Sequence, residues 1–176
     1  MAEPRGLTAL LSPEAVAERV ASLADAIAPR IDDEAMVVCL LTGGLWFAAD
    51  LMRALAARGR NPLFDAIWLS SYKDGRQSLG RVTTLAPLQR PLAGRAALIL
   101  DDVIDSGLSL AEAARIAAAN GAREILTCVF AAKPWPTARA IAPDFIGWDA
   151  PDRFLVGYGM DANGRYRGLA GVWAAD

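Results

Sequence analysis

The sequence predicts an α/β fold with a central, mainly parallel sheet flanked by helices, on three observations. Apolar runs of strand length alternate with amphipathic or alanine-rich segments of helix length, the pattern of strand–helix–strand units. The most apolar of these runs, residues 96–100, leads straight into paired acids, Asp101 and Asp102, at the carboxyl edge where open α/β sheets bind ligands. The chain of 176 residues is 54% hydrophobic, enough to bury one substantial core, and no repeat, low-complexity tract or linker divides it.

In chain order, residues 13–27 read as a capped helix. Ser12 suits the N-cap, Pro13 the first helical position, and Val16, Val20, Leu23 and Ile27 recur at helical spacing, a pattern that needs no role beyond packing. Residues 36–41 form an apolar strand, Thr42-Gly43-Gly44 breaks it, and residues 45–57 resume as a helix. A second strand covers residues 65–70. The hydrophilic, glycine-bearing stretch 71–80 then reads as a mobile loop, and a short strand resumes near 82–84. After the strand 96–100 comes an alanine-rich helix over 108–120, closed by Gly121, and another apolar strand over 124–130. Shorter pieces at 145–148 and 154–157 precede a glycine-rich end.

Composition excludes several function classes. The net charge of −2 and pI near 5.2 leave no basic footprint for nucleic acid or an anionic membrane. Cys39 and Cys128 sit inside apolar runs and read as inert core thiols. No signal-like leader and no membrane-length apolar run is present, which predicts a soluble cytoplasmic protein. There is no histidine, so Ser-His-Asp and Cys-His catalysis and imidazole-bearing zinc sites are excluded. Acid–base work falls to carboxylates, tyrosine, or one of only two lysines, Lys73 and Lys133, in a chain with 16 arginines. The five tryptophans read as packing, with Trp46 and Trp135 close to candidate site loops.

The segment 98–110 carries the strongest chemical signal. A buried strand delivers Asp101 and Asp102, and the loop Asp105-Ser106-Gly107-Leu108-Ser109 then opens a helix. Free N–H groups at a helix start, with hydroxyls at Ser106 and Ser109, make a phosphate cradle that Gly107 lets the backbone approach closely. Carboxylates beside such a cradle call for a ligand with both hydroxyls and phosphates, or for a divalent cation between them; a phosphorylated sugar satisfies both. The rival reading, acids that merely solvate a sheet edge, rarely assembles three carboxylates with a serine-glycine loop.

This segment resembles the phosphoribosyl-diphosphate signature of type I phosphoribosyltransferases. Residues 41–51, Ser70-Ser71-Tyr72, Lys133, residues 151–161 and Tyr166-Arg167 are similar in order and spacing to the hypoxanthine-guanine branch, over about residues 36–173. The resemblance implies the type I fold in one domain over residues 1–176, with a core over about 30–140 and a small hood from about 1–12 and 141–176. It also implies transfer of a phosphoribosyl group from 5-phosphoribosyl-1-diphosphate to hypoxanthine or guanine, dependence on Mg²⁺, and a homodimer or homotetramer.

By the same resemblance, Asp101 and Asp102 hold the ribose hydroxyls with Mg²⁺ nearby, and residues 105–109 hold the 5′-phosphate. Asp105 also faces purine N7 as the catalytic acceptor, Lys133 donates to O6, Phe154 stacks on the base, and the Leu155 backbone reads its edge. Asp161, counted with the purine site, binds a second Mg²⁺ with diphosphate, and Arg167 joins Thr42, Gly43 and Gly44 around that leaving group. Ser71 and Tyr72 belong to the closing loop. Taken alone, Phe154 reads as a core aromatic and Tyr72 as a surface residue. The family loop carries a non-proline cis peptide and a lysine where this chain has Thr42, which puts diphosphate affinity and subunit contacts at issue. Two alternatives stay open: the same fold with another base such as xanthine, and a non-enzymatic sensor of the phosphoribosyl ligand.

Overall fold

The computed structural model describes residues 6–71 and 82–175, with the side chain of Ser71 excepted. Tyr72 and most of the proposed mobile loop therefore lie outside the described residues, as does the side chain of Ser71. The elements are β1 (Leu7–Leu11), α1 (Pro13–Ile27), β2 (Met36–Leu41), α2 (Leu45–Ala56), β3 (Leu63–Ser71), β4 (Val82–Ala86), β5 (Ala96–Ile104), α3 (Leu108–Ala119), β6 (Glu124–Ala132), β7 (Phe145–Asp149), β8 (Phe154–Val156) and β9 (Val172–Ala175).

A six-stranded sheet runs in the order β4-β3-β2-β5-β6-β7; all its pairs are parallel except the edge pair β3–β4. The two faces are covered by different helices. Val37 and Cys39 of β2, with Leu98 and Leu100 of β5, pack with α1 and α2, whereas Met36, Val38 and Leu40, with Ala97 and Ile99, pack with α3. Burial on both faces is why these strands read as unbroken apolar runs and not as alternating ones.

Chain order reverses between β2 and β5: α2 carries the chain from β2 outward to β3, and α3 carries it from β5 outward to β6 on the other side. A crevice opens at the carboxyl ends of two strands whose connections diverge in this way. The loops at that crevice are 42–44 and 105–109.

The terminal segments form a second, antiparallel sheet, β1-β9-β8. Tyr158, just beyond β8, anchors it to the larger sheet: its ring packs on Phe130 at 4.6 Å, Phe130 packs on Phe47 at 5.7 Å, and its hydroxyl donates to Asp50 of α2 at 3.1 Å. Among the described residues no helix is long and apolar enough to cross a membrane.

Candidate active site

The acids of the signature lie inside β5, not beyond it. The expected strand 96–100 continues to Ile104 because β6 also runs on, so that Asp101 pairs with Val129 and Ile104 with Ala132. The turn that aims the two carboxylates is local: the Asp102 amide donates to Asp101 Oδ1 at 3.0 Å and the Val103 amide to Asp102 Oδ1 at 2.9 Å. Burial, and then the charge of Asp102, hold the Asp101 carboxyl well above the usual aspartate range. Asp102 is raised by burial too, against the hydrogen bonds it accepts and the nearby Arg167 guanidinium, which favour its charged form. Two carboxylates kept together against both desolvation and repulsion form a site that a cation or hydroxyl donors would relieve.

The phosphate cradle follows at once. Gly107 stands at the N-cap of α3 with φ of +80°, a left-handed conformation that a side chain would strain, and no side chain caps the helix. The first-turn amides therefore remain open to an anion, beside half-buried Ser106 and Ser109. Leu108 and Asp105 are exposed at the mouth.

Opposite lies the loop after β2, entered through a cis peptide between Leu41 and Thr42. Gly44 is buried with its amide donating to the Leu40 carbonyl at 3.2 Å, whereas Thr42 is exposed. Gly43 packs directly on Asp102, and Gly159 (φ +98°) packs on the Gly43 carbonyl so closely that neither position has room for a Cβ. The second sheet thus closes on the crevice through two glycines.

Asp102, Asp105, Lys133, Phe154, Leu155 and Asp161, with Val103 and Met160, line one cavity of about 170 Å³. Lys133 follows directly on the longer β6; its Nζ lies 3.7 Å from Asp105 Oδ1 and 3.9 Å from Asp152 Oδ1. Phe154 is 56% exposed at the rim, which is how a stacking platform stands and not how a core aromatic does, while Leu155 is buried. Asp161 is engaged on both oxygens, with Arg167 Nη2 at 2.6 Å and the Gly164 amide at 2.6 Å. A larger groove of about 570 Å³ between α1 and α2 is lined by Trp46, Asp50, Arg53 and Tyr158 and by none of the candidate site residues.

Three contributors have no role assigned from the sequence. Asp152 beside Lys133 and Gly159 on the diphosphate-loop candidate lie within the resembling segment 151–161, whereas Arg139, which bonds the carbonyls of both Asp105 and Lys133, lies in none of the segments read; all three act through contacts that no local pattern reports. The reading of all five tryptophans as packing fails for Trp68 and Trp135, which are 46% and 41% exposed. β1 and β9 lie in the terminal segments expected to form the hood, but neither is legible as a strand, each being short and stabilised by pairing from opposite ends of the chain.

Comparison with known proteins meets this geometry. The phosphoribosyl transferase domain profile matches residues 8–163. The hypoxanthine-guanine phosphoribosyltransferase of Aquifex aeolicus is 33% identical over 180 residues, covering 100% of this chain and 99% of that protein. That of Mycobacterium bovis is 31% identical over 174 residues, covering 95% and 85%. In fold, the hypoxanthine phosphoribosyl transferase of Trypanosoma cruzi superimposes with a TM-score of 0.90 at 24% identity, covering 100% of this chain and 95% of that one. The type I architecture and the residue match agree: this chain belongs to the phosphoribosyltransferase family, in its hypoxanthine-guanine branch.

Proposed function

We propose that the chain transfers the 5-phosphoribosyl group of 5-phosphoribosyl-1-diphosphate to a 6-oxopurine, hypoxanthine or guanine, forming the nucleotide and releasing diphosphate. The observation that carries this reading is the placement of the Asp101–Asp102 pair, Asp102 buried and Asp101 half-buried, between an uncapped helix start and a cavity walled by Lys133 and Phe154. A ligand with hydroxyls, a phosphate and an oxygen-bearing planar base complements all three at once.

In the reaction the bond from the anomeric carbon to diphosphate breaks as the purine nitrogen closes on the opposite face. The 105–109 amides and serine hydroxyls hold the 5′-phosphate, and Asp101 and Asp102 hold the ribose hydroxyls. Phe154 stacks on the base, the Leu155 backbone reads its edge, and Lys133, a pure donor, pairs with O6. Asp105 accepts the proton at N7. The Gly43 amide and Arg167 receive the leaving diphosphate, with Arg167 held by Asp161 and the Gly159 carbonyl.

The donor set fits Mg²⁺. Among the described residues no group of three or more ligating side chains forms a cage, but two adjacent carboxylates with raised affinity for protons suit a hard cation that keeps its waters and takes substrate oxygens. Asp101 and Asp102 would hold one ion and Asp161 would face another, supplying charge neutralisation on the departing diphosphate.

Two free, buried thiols, Cys39 and Cys128, accord with a reducing, cytoplasmic setting. For the exposed Phe64, Trp68 and Leu85 on β3 and β4 we propose a second copy of the chain, as dimer or tetramer, as the cover. The test is direct: with Mg²⁺ and both substrates the purified protein forms nucleotide, and a chelator abolishes it; ligand binding without nucleotide from any purine would make the chain a sensor.

A further inference from the structure

Residues 139–141 run beside the loop 105–107, one contact per residue. Arg139 Nε donates to the Asp105 carbonyl at 2.9 Å, and the Ala140 amide donates to the Ser106 carbonyl at 2.9 Å. Ile141 lies so near Gly107 that a Cβ there would stand 3.2 Å from the Ile141 carbonyl oxygen. The second arm of the same guanidinium, Nη2, donates to the carbonyl of Lys133. β5 and β6 stop pairing at Ile104 and Ala132, and the Lys133 amide bonded to the Ile104 carbonyl at 3.2 Å is the last rung. Beyond that rung Asp105 and Lys133 stand on separate loops, their side chains no closer than 3.7 Å.

Resting on the transferase reading above, we propose that Arg139 is a positioning residue for the reaction. It bridges the carbonyls of Asp105 and Lys133, and so fixes the separation between the group that accepts the N7 proton and the group that reads O6. A guanidinium suits this task because its donors lie in one rigid plane, so the two carbonyls are held at a set distance and angle. Bonds from a charged donor are also the stronger kind. A lysine in its place offers a single flexible point charge that satisfies one carbonyl and leaves the other to drift. Asp105 and Lys133 stand side by side in the cavity and would meet neighbouring atoms on one edge of the base, so drift between them misaligns it in the transition state more than it weakens ribose-phosphate binding, which rests also on Asp101, Asp102 and residues 106–109.

Steady-state kinetics on the full chain test this, with Arg139→Ala and Arg139→Lys each made alone and with Lys133→Ala. Loss of alignment of about 1 Å predicts that either single variant lowers kcat with hypoxanthine by about 10–100-fold, while KM for phosphoribosyl diphosphate stays within about threefold. Because Arg139 acts through Lys133, adding Arg139→Ala to Lys133→Ala should cost clearly less than Arg139→Ala alone. Arg139→Lys carries the test if the alanine variant does not fold. An unchanged kcat, or equal cost in both backgrounds together with full activity in Arg139→Lys, reduces Arg139 to a general brace and overturns the proposal. Wild-type protein that performs no transfer overturns the functional reading and this inference with it; active wild type with unaffected Arg139 variants overturns this inference alone.

Discussion

Gly43 lies flush against Asp102: a Cβ at residue 43 would stand 2.5 Å from Asp102 Cγ, so the β2 loop and the acid pair of β5 meet only because residue 43 has no side chain. The contact closes the crevice between the two strands at which chain order reverses. Through it the candidate diphosphate loop and the candidate ribose acids share one wall.

Gly43→Ala should therefore act on ligand binding through Asp102. The buried carboxylate must move or the loop must lift, a kind of overpacking that costs about 1–3 kcal/mol of stability. Calorimetric affinity for phosphoribosyl diphosphate with Mg²⁺ should fall at least about tenfold, as 1.4 kcal/mol of lost contact implies. Full affinity in this variant would show that the position of Asp102 is unimportant to the ligand.

Asp101 and Asp102 are stability liabilities in the ligand-free protein. Their folded-state affinity for protons is raised, so their favourable contribution is present below the ordinary aspartate pKa and is lost as pH rises through the raised folded value. Asp101→Asn removes one charge at nearly constant shape. Above that interval it should raise Tm, by roughly 2–4 °C for each kcal/mol of relieved repulsion, and flatten the fall of stability with pH. The same variant should bind the ribose-phosphate ligand and Mg²⁺ more weakly. Thermal melts across pH, with and without ligand, check both signs; a variant less stable than wild type in the absence of ligand contradicts the burial argument.

Thr42 tests the departure from the resembling family's loop. The residue is exposed, so a longer side chain meets no packed neighbour, and the Gly44 amide is already spent on Leu40. Thr42→Lys adds an ammonium where the loop otherwise offers few donors. A well-placed charge-assisted contact is worth roughly 1.5–3 kcal/mol, so the product-inhibition constant for diphosphate should fall about 10–100-fold. An unchanged constant would mean the loop is rebuilt around threonine.

The sequence exposed those parts whose cause is local. The apolar runs of β2, β5 and β6 are continuous because helices cover both faces, and the acids, Gly107 and the uncapped start of α3 are contiguous in the chain. Lys133, Phe154 and Asp161 were legible only by resemblance, since nothing in the residues around Phe154 distinguishes a rim platform from a core ring. What sequence could not report depends on distant pairing. β1 exists because β9 lies beside it, β5 extends past Leu100 because β6 extends too, and Arg139 has meaning only where two loops meet. Asp50, holding Tyr158 from 108 positions away, is of the same kind.

The central claim, transfer of a phosphoribosyl group to a 6-oxopurine, is tested most directly by one steady-state measurement. Purified protein is incubated with Mg²⁺, phosphoribosyl diphosphate and, separately, hypoxanthine, guanine, xanthine and adenine, with nucleotide and diphosphate both quantified. Hypoxanthine or guanine should yield nucleotide and diphosphate in equal amounts, with adenine disfavoured at least about tenfold because the Lys133 ammonium would face an amino group it cannot pair with. Nucleotide from adenine as readily as from hypoxanthine, or none from any base while phosphoribosyl diphosphate remains bound, would contradict the account.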